Sequence, residues 1–548
     1  MRISSKKYLS LGVALALGLA LMPRILAQEN LALDDYIQRV LNRNEQIQIQ
    51  MLRVVASDRK IESEKGIFEP ALVGSVELQD SDRPNTAQQQ RNQLGVATFD
   101  QENILYSGGL EQLSSLGGKL QMGYSLSDLN NNLQSASTLF SPGRLGNEFV
   151  SFAGLTLTQP LLKNGGRLAT TIRIRVAAQD SEIAFQNYRR EMMRTVTGAE
   201  ALYWDLYFAQ RQLESFNQSV SVTESLFQDT KARRDLGNAS DLDVLEIEST
   251  LAQRRTQSRS ARQTVIENAN RLVILYGGSP SNQETPAVTA AEDPPSEASE
   301  VSARNDLWML ALDHNPEFKV RQFEALKQQY RFQYAKNQKL PELDLTSSYG
   351  LNGLGATPGD AMDNIGSGDF ASWSVGLRFK VPLGGGKQAK RLVEVAALDY
   401  HQASIALKEI ENQLLNSIDT AVFKIQTSAE SSRDYQKIVG FYESLLNTEL
   451  ERLQVGSIPM RRVLDAEEAL LKARLEALQS VVNFQRSRLE LESLVGTALR
   501  DRGIDLPKQT LVEKTRLAVA GGVVTDSAFE AFRNRVREDM QIHRITNP

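Results

Sequence analysis

Apolar residues recur at alternating steps of four and three along two tracts of the chain. One is Leu202, Leu206, Ala209, Leu213, Phe216, Val220, Thr223 and Phe227; the other is Leu414, Ile418, Ala421, Ile425, Ser428, Ser432, Tyr435, Val439, Tyr442 and Leu446. This is heptad spacing, the seam of helices packed side by side. Serine and alanine thin the second seam, which suits close approach of helices better than a greasy bundle core. No proline falls between positions 160 and 280 or between 382 and 459, so uninterrupted helices are permitted there. The pattern predicts long helices over 163–236 and 386–455, which are 74 and 70 residues. At ~1.5 Å per residue these reach roughly 105–110 Å, far beyond a globular domain. Four shorter helical stretches, 31–66, 241–276, 304–339 and 460–495, are 36 residues each, so two laid end to end match one long helix.

Between the helices the period changes from 3.5 to 2. Leu343, Leu345, Ser347, Tyr349 and Leu351 alternate with Asp344, Thr346, Ser348 and Gly350, and Trp373, Val375, Leu377, Phe379 and Val381 alternate with Ser374, Gly376, Arg378 and Lys380. Two strands of this kind, apolar on one face only, fit a membrane-spanning hairpin. A weaker version runs through Phe149, Ala153, Leu155 and Leu157, alternating with Val150, Gly154, Thr156 and Thr158, and its expected partner is the segment 72–79. A soluble sandwich shows the same alternation. Attachment to helices of such length favours the membrane, because a coiled stalk offers nothing broad enough to bury a sandwich face.

The two sets of elements stand in two halves. Leu41, Asn44, Pro70 and Leu72 recur 271 positions later as Leu312, Asn315, Pro341 and Leu343. Pro160 and Leu161 recur as Pro382 and Leu383 at an offset of 222, and Gly237, Leu245, Glu248 and Gly277 recur as Gly456, Leu464, Glu467 and Gly496 at 219. A period above 200 residues reads as a duplicated half, not a solenoid repeat. The drop in offset places an insertion of 49 residues between Pro70 and Pro160. Within it, 80–93 is polar and loop-like, 105–113 with 119–126 reads as an additional hairpin around Gly117 and Gly118, and 140–146 reads as loop. Three places are open to the insertion: outside the cell, packed on a barrel, or enlarging it; because the second half does without it, a mainly external or barrel-capping position is favoured. The halves are then 28–279 and 304–496, joined by a linker over 280–303 and followed by a tail over 497–548 in which 529–540 reads as an amphipathic helix.

The N-terminus sets the compartment. Arg2, Lys6 and Lys7 precede an apolar run over 8–22, and Ala27 closes a cleavage site after Ile25 and Leu26. Residues 1–27 therefore read as a secretory signal peptide. No later stretch approaches 18 consecutive apolar residues, the length a membrane helix needs. An exported chain with two-faced strands and no such helix points to the outer membrane of a diderm bacterium. Zero cysteines exclude disulfides, thiolate metal sites and a lipidated N-terminal cysteine. With 62 basic and 67 acidic residues the net charge is −5, so no basic face advertises nucleic acid.

The stretches 155–162 (LTLTQPLL) with 381–383, 236–248 (LGNASDLDVLEIE) and 455–467 (VGSIPMRRVLDAE) are each weak alone. Doubled, in order and at matching offsets, they make the chain resemble the TolC family of outer-membrane efflux and secretion channels over roughly 31–496. The fold class this implies is mainly α with β: long antiparallel coiled-coil helices forming a periplasmic α-barrel, joined to a transmembrane β-barrel of 12 strands to which three chains lend two hairpins each. It also implies a homotrimer in outer-membrane lipid that meets a periplasmic adaptor and, through it, an inner-membrane transporter. Closure has a physical cause, since unpaired strand edges could not be satisfied in lipid.

By the same resemblance the two helix reversals form the periplasmic tip. Leu236, Gly237, Asn238, Ala239 and Ser240 in one turn, with Val455, Gly456, Ser457 and Ile458 in the other, would meet the adaptor. Glycine supplies the positive φ of a helix C-terminus, Ser240 or Asp241 caps the following helix, and Pro459 suits the first turn of its counterpart. Taken singly, each also serves as a plain turn residue. Asp241, Asp243, Arg462 and Asp465 would form the entrance gate: Asp243 matches an acidic residue that ties neighbouring coils together, and Asp465 matches the later of two acidic ring positions. Arg462 stands at the earlier one, which softens an anionic ring and suggests a closing ion pair with Asp243.

Enzymatic chemistry finds little purchase. Gly384, Gly385, Gly386 and Lys387 resemble a phosphate loop but lack its spacing and its Ser or Thr. The three histidines, His314, His401 and His543, are too scattered for a metal cluster or triad. No cofactor is implied, and without an ATP site the energy must come from an inner-membrane partner. Two functions remain in view: a passive exit duct for a tripartite pump or type I secretion system, and a structural periplasmic coil with a β-appendage that conducts nothing.

Overall fold

The computed structural model describes residues 29–92, 97–132, 148–278, 288–294 and 303–520. The expected signal peptide, the 140–146 loop, most of the 280–303 linker and the 529–540 helix lie outside the described residues. The chain divides into two compact units, one built from parts of 1–52, 186–319 and 410–517, the other from parts of 53–185, 320–409 and 518–548.

The helices of ten residues or more among the described residues are α1 (Leu33–Arg43), α2 (Glu45–Lys65), α3 (Ile172–Asp235), α4 (Asp241–Leu275), α5 (Arg304–His314), α6 (Pro316–Gln338), α7 (Pro358–Ser367), α8 (Lys387–Gln454), α9 (Met460–Val495) and α10 (Lys508–Ala520). The longest, α3 and α8, run 64 and 68 residues. The stretches 31–66 and 304–339, expected as single helices, are each broken by one asparagine. Asn44 and Asn315 take extended backbone with ψ of 117° and 119°. Each carboxamide oxygen then accepts from the amide three residues on, Ile47 at 3.1 Å and Phe318 at 2.9 Å. Such caps satisfy an orphan donor of the new helix, which gives the recurrence of asparagine at this place a physical reason.

In the first unit the seam residues Leu206, Ala209, Phe216 and Thr223 of α3 and Leu414, Ile418, Ala421 and Ile425 of α8 are buried. The core around α3 includes Tyr36, Tyr203, Trp204, Leu272 and Leu489. Tyr203 ties the chain start to the segment after α4: its hydroxyl donates to the Leu31 carbonyl at 3.0 Å and accepts from the amides of Ala291 and Glu292 at 3.0 and 3.1 Å. There β1 (Glu29–Leu31) pairs in parallel with β6 (Val288–Ala290), so the expected linker contains a strand. The expected tail is also partly built in, through α10 and the buried pair of Arg502 with Glu200 at 2.6 Å.

The second unit is organised on one sheet. Its strands are β2 (Ala71–Pro84), β3 (Thr98–Leu113), β4 (Lys119–Asn131), β5 (Glu148–Pro160), β7 (Glu342–Gly355) and β8 (Ala371–Lys380), in that spatial order and antiparallel throughout. Two expectations are corrected here. The partner of 72–79 is β3, with Leu72 opposite Leu110 and Gln79 opposite Asn103, not the segment around Leu155. The inserted hairpin is β3–β4 and lies inside the sheet, bonded to β2 on one side and β5 on the other. The sheet therefore carries six strands where two hairpins supply four, and residues 80–84, expected as loop, continue β2. Among the described residues no helix is long and apolar enough to cross a membrane.

Candidate functional site

Two features are built from the sequence upward: the paired helix turns of the first unit and the two faces of the sheet in the second. At the turns, Gly237 and Gly456 take φ of +79° and +71°. The Gly237 and Asn238 amides donate back to the carbonyls of Arg234 and Arg233, each at 2.8 Å, and those of Gly456 and Ser457 to Leu453 and Arg452, each at 3.0 Å. Both are the Schellman arrangement that closes a helix with a left-handed residue. Arg233 then donates to the Leu453 carbonyl at 3.0 Å, which binds the ends of α3 and α8 to each other.

Ser240 caps α4. Its hydroxyl accepts from the Asp243 amide at 3.2 Å, while the Asp243 carboxylate accepts from the Ser240 amide at 2.9 Å and hydroxyl at 2.7 Å. This reciprocal capping box satisfies two end groups of the helix. The Ser240 hydroxyl and then its amide hold the Asp243 carboxyl below the usual range. Asp241 lies 4.0 Å from Arg234. Pro459 occupies the cap position before α9, one place ahead of the expected first turn. Within the chain Asp243 is thus held by Ser240, and the arginine that reaches across to α4 is Arg461, to Glu246 at 2.6 Å. Arg462 and Asp465 are exposed. Leu236 and Val455 are 78% and 79% exposed, and Leu242 and Leu245 are also exposed, so each turn presents aliphatic side chains to solvent; Ala239 and Ile458 are half-buried and Asn238 and Ser457 exposed.

Sequence reasoning missed the polar groups beneath the turns. Arg254 of α4 and Glu467 of α9 form an ion pair at 3.0 Å with side chains only 5% and 4% exposed, and Ser219 of α3 also donates to Glu467. The signal was present: Arg254 continues the seam Ile247, Leu251, Arg254, Ala261 and Val265, and Glu467 stands between Val463 and Leu470, positions where heptad spacing asks for apolar residues.

The sheet has one apolar and one polar face. Leu72, Leu110, Met122, Leu155, Tyr349 and Trp373 lie directly opposite one another in a single row across all six strands, and every one is an exposed large apolar side chain, from 42% for Leu155 to 83% for Leu72. On the opposite face a row of Gly109, Gly123, Gly154 and Gly350 crosses the four central strands, and Ser75 bonds Ser107 at 2.8 Å and Ser348 bonds Ser374 at 2.7 Å. A groove of about 440 Å³ lies over this polar face, lined among others by Ser107, Gly109, Gln121, Ser125 and Phe152. The sheet therefore presents a row of exposed apolar side chains on one side and a polar, grooved surface on the other.

Comparison with known proteins points to outer-membrane efflux proteins. The profile of the family described as outer membrane efflux protein matches residues 307–497. The outer membrane efflux protein BepC of Brucella suis is 21% identical over 312 residues, 56% of this chain and 65% of its own length. The outer membrane protein TolC of Escherichia coli is 26% identical over 167 residues, 30% of this chain and 34% of its own. Over these stretches the chain is similar to the TolC family of outer-membrane efflux proteins. It spans just under two thirds of BepC and about a third of TolC in these matches. The outer membrane protein VceC of Vibrio cholerae superimposes with a TM-score of 0.56 at 14% identity, covering 85% of this chain and 96% of that one, a likeness that speaks for the fold. The TolC family consists of outer-membrane channels, not enzymes, and the TolC-like fold accounts for long helices and a sheet in one chain.

Proposed function

We propose that the chain is the outer-membrane exit duct of a tripartite efflux pump or a type I secretion system. Three copies associate, their sheets close into one barrel in outer-membrane lipid, and their helices continue it as a periplasmic tunnel; the two halves of each chain are copies of one ancestral unit. The observation that carries this reading is the row of six exposed apolar side chains from Leu72 to Trp373, set against a polar face with a groove over it. Burying such a band in water would require a covering layer, whereas hydrocarbon accepts it directly. The sheet's two open edges leave backbone groups that lipid cannot satisfy, so a single chain is not a viable membrane structure.

The turns then serve as the tip. Leu236, Gly237, Asn238, Ala239, Ser240, Val455, Gly456, Ser457 and Ile458 meet the hairpins of an adaptor protein, with exposed Leu236 and Val455 as apolar anchors. Asp241, Asp243, Arg462 and Asp465 line the entrance, and Arg462 pairs with the Asp243 of a neighbouring copy. Cargo passes without chemistry and its energy comes from an inner-membrane pump reached through the adaptor. Purification from native membranes tests the assembly: a heat-stable trimer in the outer-membrane fraction is expected. A monomer that keeps its full strand content in detergent would overturn the reading.

A further inference from the structure

The inserted hairpin belongs to the barrel wall. Were it an external appendage, β2 would pair with β5. Instead β2 bonds β3 along its whole length, from Ala71 opposite Glu111 to Pro84 opposite Thr98, and β4 bonds β5 from Lys119 opposite Thr158 to Leu129 opposite Glu148. The inserted strands also obey the chemistry of the others. Leu110 and Met122 supply the middle of the exposed apolar row, 45% and 55% exposed, while Gly109 and Gly123 stand opposite each other on the polar face. A side chain placed at Gly109 would come within 2.5 Å of the Met122 carbonyl oxygen, so this close approach of β3 to β4 is available to glycine alone. A loop hairpin outside the membrane has no need to hold an apolar residue in register with four strands of the wall.

The edges indicate what completes the sheet. Six strands alternate in direction, so β2 and β8 run oppositely. Each has one side without a partner strand among the described residues, and both are exposed along almost their full 14 and 10 residues. The β2 edge of one copy can therefore receive the β8 edge of the next as another antiparallel pair, continuing the apolar row outside and the polar row inside.

We infer that the partner of each open edge is a second copy of this chain, and that three copies close a barrel of 18 strands, six from each, in place of the 12 that two hairpins per chain would give. This rests on the trimeric duct proposed above. With strands about 4.8 Å apart and tilted about 40°, 18 strands enclose a barrel about 36 Å across at the backbone, against about 24 Å for 12. The wider wall changes what the membrane segment admits and leaves the helix turns untouched.

Cryo-electron microscopy of the full-length protein in lipid nanodiscs tests this, since strands and copies are counted in the same particle. A threefold particle with 18 strands and a wall about 36 Å across is expected. The absence of native cysteine gives a second readout: Gln121→Cys with Thr156→Cys, directly opposite on β4 and β5, should form an intrachain disulfide in the assembled trimer. A trimer with 12 strands, the hairpin lying outside and that disulfide absent, would overturn the inference while leaving the duct intact. Particles of any other copy number would overturn both.

Discussion

Removing Arg254 should damage the helical unit more than removing any exposed charge near the turns. Its guanidinium lies 3.0 Å from Glu467 with both side chains at most 5% exposed. Arg254→Leu leaves the Glu467 carboxylate in the core with the Ser219 hydroxyl as its remaining neutral donor. Stripping one partner from a buried pair costs about 3–5 kcal/mol because the other charge stays desolvated and uncompensated. Two unit charges about 4 Å apart at an effective dielectric near 20 give about 4 kcal/mol, the same size. The double variant Arg254→Leu with Glu467→Leu removes the stranded charge and should return to within about 1 kcal/mol of the parent or exceed it. Native-state hydrogen exchange of the α4 and α9 amides, read by mass spectrometry on the intact protein in detergent, reports the local opening energy without requiring reversible unfolding. Accelerations of two to four orders of magnitude are expected for the single variant, at about 1.4 kcal/mol per tenfold. If the single variant costs under about 1 kcal/mol, or the double is as damaged as the single, the pair is not the desolvated contact described.

Three further outcomes follow from the turns and the gate. Gly237→Ala and Gly456→Ala should each cost about 1–2 kcal/mol, the penalty of left-handed backbone for an L residue, because nothing lies within 4 Å of either added methyl. Gly496→Ala should cost more, since the added carbon would meet the His314 carbonyl at 2.5 Å as well as taking φ of +85°; thermal denaturation of the three variants checks the order. The capping box should weaken on acidification. Asp243 has a depressed pKa in the folded chain, so its contribution is complete above the ordinary carboxylate value near 4 and is lost as pH falls through the lower folded value. Exchange at the start of α4 should quicken there, and Asp243→Asn should abolish that pH dependence. Arg462→Ala should raise the open fraction in single-channel recordings if its closing pair with a neighbour exists; unchanged closure would remove that role.

The helices were legible because their causes are local. Proline-free tracts, heptad spacing and terminal glycines place the ends of α4 and α9 to within a residue or so of their structural bounds. The breaks at Asn44 and Asn315 were visible as a recurrence but not as a cap, since an asparagine inside a helical pattern carries no unique signal until its side chain meets the third amide on. Strand pairing was harder. Alternation tells which faces residues take, and Leu72 and Leu155 do share the apolar face, but it does not tell which strand lies between them. That order is a non-local choice made by the whole sheet, which is why alternation alone favoured an external or capping position for β3 and β4 over the place between β2 and β5 that they take. Glu467 was hidden differently: its worth depends on Arg254 and Ser219, which lie 213 and 248 positions away.

The central claim is that copies of this chain together enclose a passage through a membrane. Single-channel recording of the purified full-length protein in planar lipid bilayers tests it most directly. Discrete current steps that persist with no pump, adaptor or nucleotide present are predicted. Folded, helical protein that inserts or adsorbs yet never passes current would contradict the account and leave a structural coil with a β-appendage.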